Sequence, residues 1–129
     1  MAEDTKKSKI LLIEDDAFMS DLLTTALVHA DFAIANAKTG GEGVSKFQEW
    51  HPDLILLDLI LPDQNGFEAL RQIRRMPGGP EIKVMVLSNL SRETQGEEAT
   101  RLGVLDYMVK SNFSLDEIIA KIRTVLGIS

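Results

Sequence analysis

Glu14 and Asp15 stand directly after the apolar run Ile10-Leu11-Leu12-Ile13, and Asp58 directly after Leu54-Ile55-Leu56-Leu57. A third run, Val84-Met85-Val86-Leu87, ends on the hydroxyl of Ser88, and a fourth, Leu105 to Val109, on the ammonium of Lys110. Parallel strands buried on both faces read as continuous apolar runs, and α/β sheets keep their ligands at the carboxyl ends of such strands. The four endings, distant in the chain, can therefore converge on one pocket. Three carboxylates, one hydroxyl and one ammonium suit a hard cation and a phosphoryl group.

Carboxylates gathered within a few ångström repel one another and raise one another's pKa, and a divalent cation removes that conflict. All-oxygen ligation suits magnesium, manganese or calcium. Magnesium keeps several waters and takes one or two carboxylates plus a phosphate, which matches an open site better than a cage. Asp16 reads as the N-cap of the next helix. Asp58 interrupts a mostly apolar stretch, where an acid is costly unless paired or bound to metal. A carboxylate so placed can also serve as a nucleophile and form an aspartyl phosphate. The plainer alternative makes each acid a solvated strand end. Ser88 would donate a hydrogen bond to a phosphoryl oxygen, and Lys110, behind Tyr107-Met108-Val109, would offset phosphoryl charge.

These groups must be positioned by a scaffold, and the remaining pattern supplies one. A chain of 129 residues holds one domain with one core. From Ile10 onward, short apolar runs alternate with amphipathic stretches five times, which implies a parallel sheet with helices on both faces. Residues 1–9 are polar and without period and read as a disordered tail; residues 10–129 form the domain. The first helix is expected over Ala17 to Ala30, with Phe18, Met19, Leu22, Leu23, Ala26 and Leu27 on one face. Phe32 to Ala37 is the second and weakest strand. Thr39-Gly40-Gly41-Glu42 reads as a capping box that opens a helix ending near Trp50. Asp53 to Asp58 is the third strand, and Phe67, Leu70 and Ile73 give the third helix its buried side. The fourth helix, Ser91 to Leu102, carries only Ala99 and Leu102 as clear apolar anchors and should be the loosest. Ser114-Leu115-Asp116-Glu117 is a second capping box, opening a last helix with a full apolar stripe.

Composition narrows the function classes. With no cysteine, disulfides, thiolate metal sites and cysteine nucleophiles are excluded. A formal charge of −6 makes direct nucleic-acid binding unfavourable, because phosphate backbones call for a basic face. No apolar stretch approaches the ~20 residues of a bilayer span. The charged N-terminus does not look like an export signal, so a cytoplasmic location is expected.

The chain resembles the receiver domain of two-component response regulators, from about Lys9 to the C-terminus. The resemblance is carried by the acidic pair Glu14-Asp15, by Asp58-Leu59-Ile60-Leu61-Pro62-Asp63-Gln64-Asn65-Gly66, and by Ser88, Tyr107 and Lys110 in order. It implies a flavodoxin-like, doubly wound (βα)5 fold with strand order 2-1-3-4-5. It implies that Asp58 takes a phosphoryl group from a sensor histidine kinase or a histidine phosphotransfer protein. Magnesium (with manganese as a substitute) would be held by Asp15, Asp58 and the Ile60 carbonyl, with Glu14 acting through water. Ser88 and Tyr107 become switch residues: the hydroxyl moves toward the phosphate and the tyrosine turns inward. The surface of the last two helices and the fifth strand then changes shape and addresses a downstream protein or output domain. Such a module is not a turnover enzyme, and no output domain fits within this length.

The family usually has proline after the lysine, often with a cis bond, whereas Ser111 follows Lys110 here. A cis bond before a non-proline residue costs about 2.5–4 kcal/mol, which leaves the aim of Lys110 open between a trans loop and a strained one. The apolar Ile60, two residues after Asp58, does little to orient a water, so slow hydrolysis of the phosphoryl group is expected. Two rivals stand beside this reading. An aspartate-nucleophile phosphatase of the haloacid dehalogenase type needs a second acid where Ile60 stands. A phosphorylation-independent scaffold has no need of all five polar groups.

Overall fold

The computed structural model describes residues 6–128. Most of the tail expected over residues 1–9 lies outside the described residues; Lys9, at its end, already belongs to the first strand. The strands are β1 (Lys9–Ile13), β2 (Ala33–Ala37), β3 (Leu54–Leu57), β4 (Lys83–Ser88) and β5 (Asp106–Val109). The helices are α1 (Ala17–His29), α2 (Gly40–Trp50), α3 (Gly66–Arg74), α4 (Arg92–Arg101) and α5 (Leu115–Leu126). All neighbouring strands are parallel, in the order β2-β1-β3-β4-β5. The parallel sheet is the one expected from the alternating pattern, and its flavodoxin-like strand order is the one the family resemblance implied.

Side chains alternate across a strand, so each run feeds the packing on both faces of the sheet. Leu11, Ile13, Ile55, Leu57, Val84 and Val86 pack with Phe47 of α2, Phe67, Leu70 and Ile73 of α3, and Ala99 of α4. Ile10, Leu12, Leu54, Leu56, Met85 and Leu87 pack with Leu23 and Leu27 of α1 and Ile118 and Ile122 of α5. The central strands are thereby covered on both sides, which is why their sequences show no polar alternation. No helix among the described residues is long and apolar enough to cross a membrane.

Helix starts follow their caps. Asp16 accepts the N–H groups of Phe18 (3.0 Å) and Met19 (3.4 Å), and Asn65 accepts that of Phe67 (2.8 Å). The box at Ser114 and Glu117 is closed in both directions. At α2 Thr39 caps the Glu42 N–H, but the Glu42 carboxylate reaches one residue further back, to the Lys38 N–H at 2.6 Å.

The buried face of α1 departs from expectation. Leu23 and Leu27 are buried together with Ser20, while Phe18 is 74% exposed and Leu22 is exposed as well. Six apolar residues span a wider arc than the sheet can cover, and the stripe Ser20, Leu23, Leu27 takes the centre of the contact. Phe18 and Leu22 fall on the rim. In α4 Ala99 is the buried residue, in line with its sparse apolar pattern. Polar ties from α3 hold it instead. Arg71 bonds Glu98, and Arg74 donates to the carbonyls of Leu102 (2.9 Å) and Gly103 (3.2 Å) at the α4 C-terminus.

Candidate functional site

Register places the polar endings side by side. Ile13 pairs with Leu57, Leu57 with Val86, and Ser88 with Val109. One step beyond those pairs lie Glu14, Asp58 and Lys110, all at the carboxyl edge of the sheet. Oxygen atoms of Glu14, Asp15 and Asp58 lie within 4.8 Å of one another. Lys110 Nζ is 2.7 Å from Glu14 Oε1 and 3.0 Å from Asp58 Oδ2. Glu14 and Asp58 are buried and Asp15 is exposed, so the cluster opens to solvent on the Asp15 side.

The electrostatics follow from this packing. Burial pushes the Glu14 carboxyl up to about 7; the Asp58 charge adds to that, and the Lys110 hydrogen bond opposes it. For Lys110, burial alone would lower the pKa. The hydrogen bonds to Glu14 and Asp58, and their charges, outweigh it and hold the ammonium above its ordinary value. The site is thus rich in negative charge that one internal cation only partly offsets. Crowded oxygen donors with an exposed carboxylate at the mouth fit a hard divalent cation.

The remaining expected residues sit around this centre. The Ile60 N–H donates to Asp58 Oδ1 at 3.3 Å, and its side chain is 55% exposed, pointing apolar surface to solvent. Ser88 is fully buried, and its Oγ accepts the Leu90 N–H at 3.3 Å. Tyr107 is buried and donates its hydroxyl to the Leu90 carbonyl at 2.8 Å. The tyrosine ring is packed inward in this structure, with the Leu90 carbonyl as the partner of its buried hydroxyl. Burial first, and the Asp58 charge second, raise the Tyr107 pKa. The peptide after Lys110 is trans, as are all those among the described residues, and Lys110–Asn112 form a 3-10 turn. A trans loop aims Lys110 at both acids.

Gly66 opens α3 directly under the cluster. A Cβ there would stand 2.4 Å from the Asp58 carbonyl, so only glycine lets the helix start this close. Reading the sequence did not single out Asp63, which caps α2 from the loop after Asp58. Its only sequence trace is the Gly40-Gly41 pair at the far end of the contact.

Comparison with known proteins agrees with this geometry. The family model described as the response regulator receiver domain matches residues 10–123. The chain belongs to that family. It is 36% identical over 124 residues to the transcriptional regulatory protein ResD of Bacillus subtilis (strain 168), covering 96% of this chain and 50% of ResD. It is 31% identical over 103 residues to the chemotaxis protein CheY of Thermotoga maritima, covering 79% of this chain and 84% of that protein. The chain thus spans about half the length of regulators such as ResD and most of the length of a chemotaxis receiver. Among solved structures, the non-phosphorylated HemR receiver domain of Leptospira biflexa superposes with a TM-score of 0.86 at 27% identity, over 95% of this chain and 97% of that one. A receiver is a signalling module of two-component systems, and the Glu14, Asp15 and Asp58 group is consistent with the acidic site of such a module.

Proposed function

We propose that this receiver accepts a phosphoryl group on Asp58 from a phosphohistidine of a sensor kinase or a histidine phosphotransfer protein. The observation that carries the reading is the Lys110 ammonium, which bridges Glu14 and Asp58 beside the exposed Asp15. Asp15, Asp58 and the Ile60 carbonyl would hold magnesium, with Glu14 acting through water. When bound, magnesium supplies charge neutralisation at the phosphoryl oxygens.

The chain's own residues do the rest. An Asp58 carboxylate oxygen attacks phosphorus and the phosphorus–nitrogen bond breaks. Its electron pair returns to the donor imidazole, which leaves neutral, carrying a proton on its other nitrogen. Lys110 stays in reach of the carboxylate and neutralises charge on the group transferred. Most of the catalysis is then positioning plus electrostatics, as in phosphoryl transfer generally.

Leu90 joins the two switch residues, giving its N–H to Ser88 and its carbonyl to Tyr107. A phosphoryl group that draws the Ser88 hydroxyl toward it pulls on this segment and so on α4, which follows at Arg92. The α4-β5-α5 surface changes shape, a two-state shift biased by a local charge event, and addresses a downstream protein or output domain. A cytoplasmic location follows from the same reading.

The test is mass spectrometry after treatment with magnesium and a small phosphodonor. One added phosphoryl group, absent in Asp58→Asn, is expected. No adduct on the wild type, or an adduct retained in the variant, rejects the assignment.

A further inference from the structure

The loop from Leu59 to Asn65 is fixed at both ends by different parts of the molecule. Its base is closed by an antiparallel bridge between Ile60 and Asn65 and by the Gly66 N–H on the Leu59 carbonyl at 2.8 Å. Its tip is tied to another element. Asp63 Oδ1 accepts the Gly40 N–H at 2.8 Å, and Oδ2 accepts the Gly41 N–H at 3.0 Å. Those are the first two amides of α2, which have no partner inside their own helix. The bonds from Gly41 and then Gly40 hold the Asp63 carboxyl below its ordinary pKa. Gln64 adds a second tie. Its side chain lies over Gly40, where a Cβ would come within 2.5 Å of it, and its Oε1 accepts from Gln72 of α3 at 3.1 Å.

Ile60 stands on this loop between Asp58 and the pinned tip. We propose that Asp63 is a positioning residue for the metal site: by clamping the loop to the start of α2, it sets where the Ile60 carbonyl stands relative to Asp15 and Asp58. The inference rests on the magnesium reading given above. A side chain that only capped α2 would matter for stability alone. Thr39 provides that comparison, since it caps the same helix end through the Glu42 N–H but is not on the loop.

The experiment is calorimetric titration of the full chain with magnesium chloride, beside thermal unfolding of the same samples without metal. Asp63→Ala is expected to weaken magnesium binding about tenfold, the scale of lost groups that orient metal ligands. Asp63→Asn, which keeps one acceptor oxygen, should weaken it less and retain the fold. Thr39→Ala should lower the melting temperature and leave the magnesium affinity unchanged. Wild-type affinity in both Asp63 variants, or an equal loss in Thr39→Ala, overturns the positioning role while leaving the metal site standing. A wild type that takes up no magnesium overturns the metal reading itself, and this role with it.

Discussion

Lys110 Nζ stands closer to Glu14 than to Asp58, at 2.7 Å against 3.0 Å. The lysine is therefore shared between the acid that follows β1 and the acid that follows β3, and it is the internal cation that keeps both from facing each other unscreened. Removing one partner of a buried ion pair leaves an uncompensated charge, which costs about 3–5 kcal/mol. Lys110→Met should therefore destabilise the metal-free protein by roughly 3 kcal/mol. Added magnesium should restore part of the loss, because a cation that binds only the folded state stabilises it. Urea unfolding with and without magnesium measures both. An unchanged midpoint without metal would contradict the shared-lysine picture.

Glu14 sets a pH dependence with a definite sign. Its carboxyl is raised from 4.5 to about 7 in the folded chain, so the folded state holds the proton more tightly than the unfolded one. Its contribution is fully present below 4.5 and is lost as pH rises through about 7. Without divalent cations, stability should fall by about 1–3 kcal/mol across that window. Glu14→Gln should flatten the slope. A melting temperature that climbs between pH 5 and pH 8 in the wild type would reject this account.

The exposed side chain of Ile60 offers the neighbourhood of Asp58 no polar group. On the proposed reading, an attacking water would find no partner in this side chain, and the phosphoryl group should be slow to hydrolyse. Ile60→Asn should shorten the phosphoryl half-life by roughly tenfold, the low end of what a positioned polar group contributes to proton transfer. Stability should move by less than ~0.5 kcal/mol, since the position is on the surface. The decay of the phosphorylated species followed by mass is the measurement, and an unaltered half-life removes the idea.

Arg71 and Glu98 tie α3 to a helix whose buried side chain is a single alanine. Glu98→Ala should free α4 without loosening the sheet. Hydrogen exchange should show α4 amides exchanging several-fold faster while those of β3 and β4 keep their protection. Uniform acceleration across the chain, or none in α4, would argue against this tie.

Much of this architecture was legible in the chain because burial on both faces writes itself into sequence. The four apolar runs mark β1, β3, β4 and β5, and the polar residue after each followed from α/β sheets keeping their ligands at the carboxyl ends of strands. What stayed hidden were contacts between elements that no local period encodes. Asp63 meets Gly40 across 23 residues and Arg71 meets Glu98 across 27. Neither leaves a mark on its own helix or loop. The face of α1 failed for a related reason: six apolar residues at helical spacing do not say which of them the sheet is wide enough to cover. Tyr107 was singled out by the family resemblance, but its hydroxyl is held by the carbonyl of Leu90, which no pattern announces.

The interleaved order of the strands makes the polar centre a report on the whole molecule. Its parts are contributed from residue 14 to residue 110, and the lysine comes last, directly after the edge strand β5. A shortened chain lacking β5 would still own every acid and would hold them with nothing to balance their repulsion. Competence to be modified should accordingly appear all at once during refolding, and only after the final strand has docked.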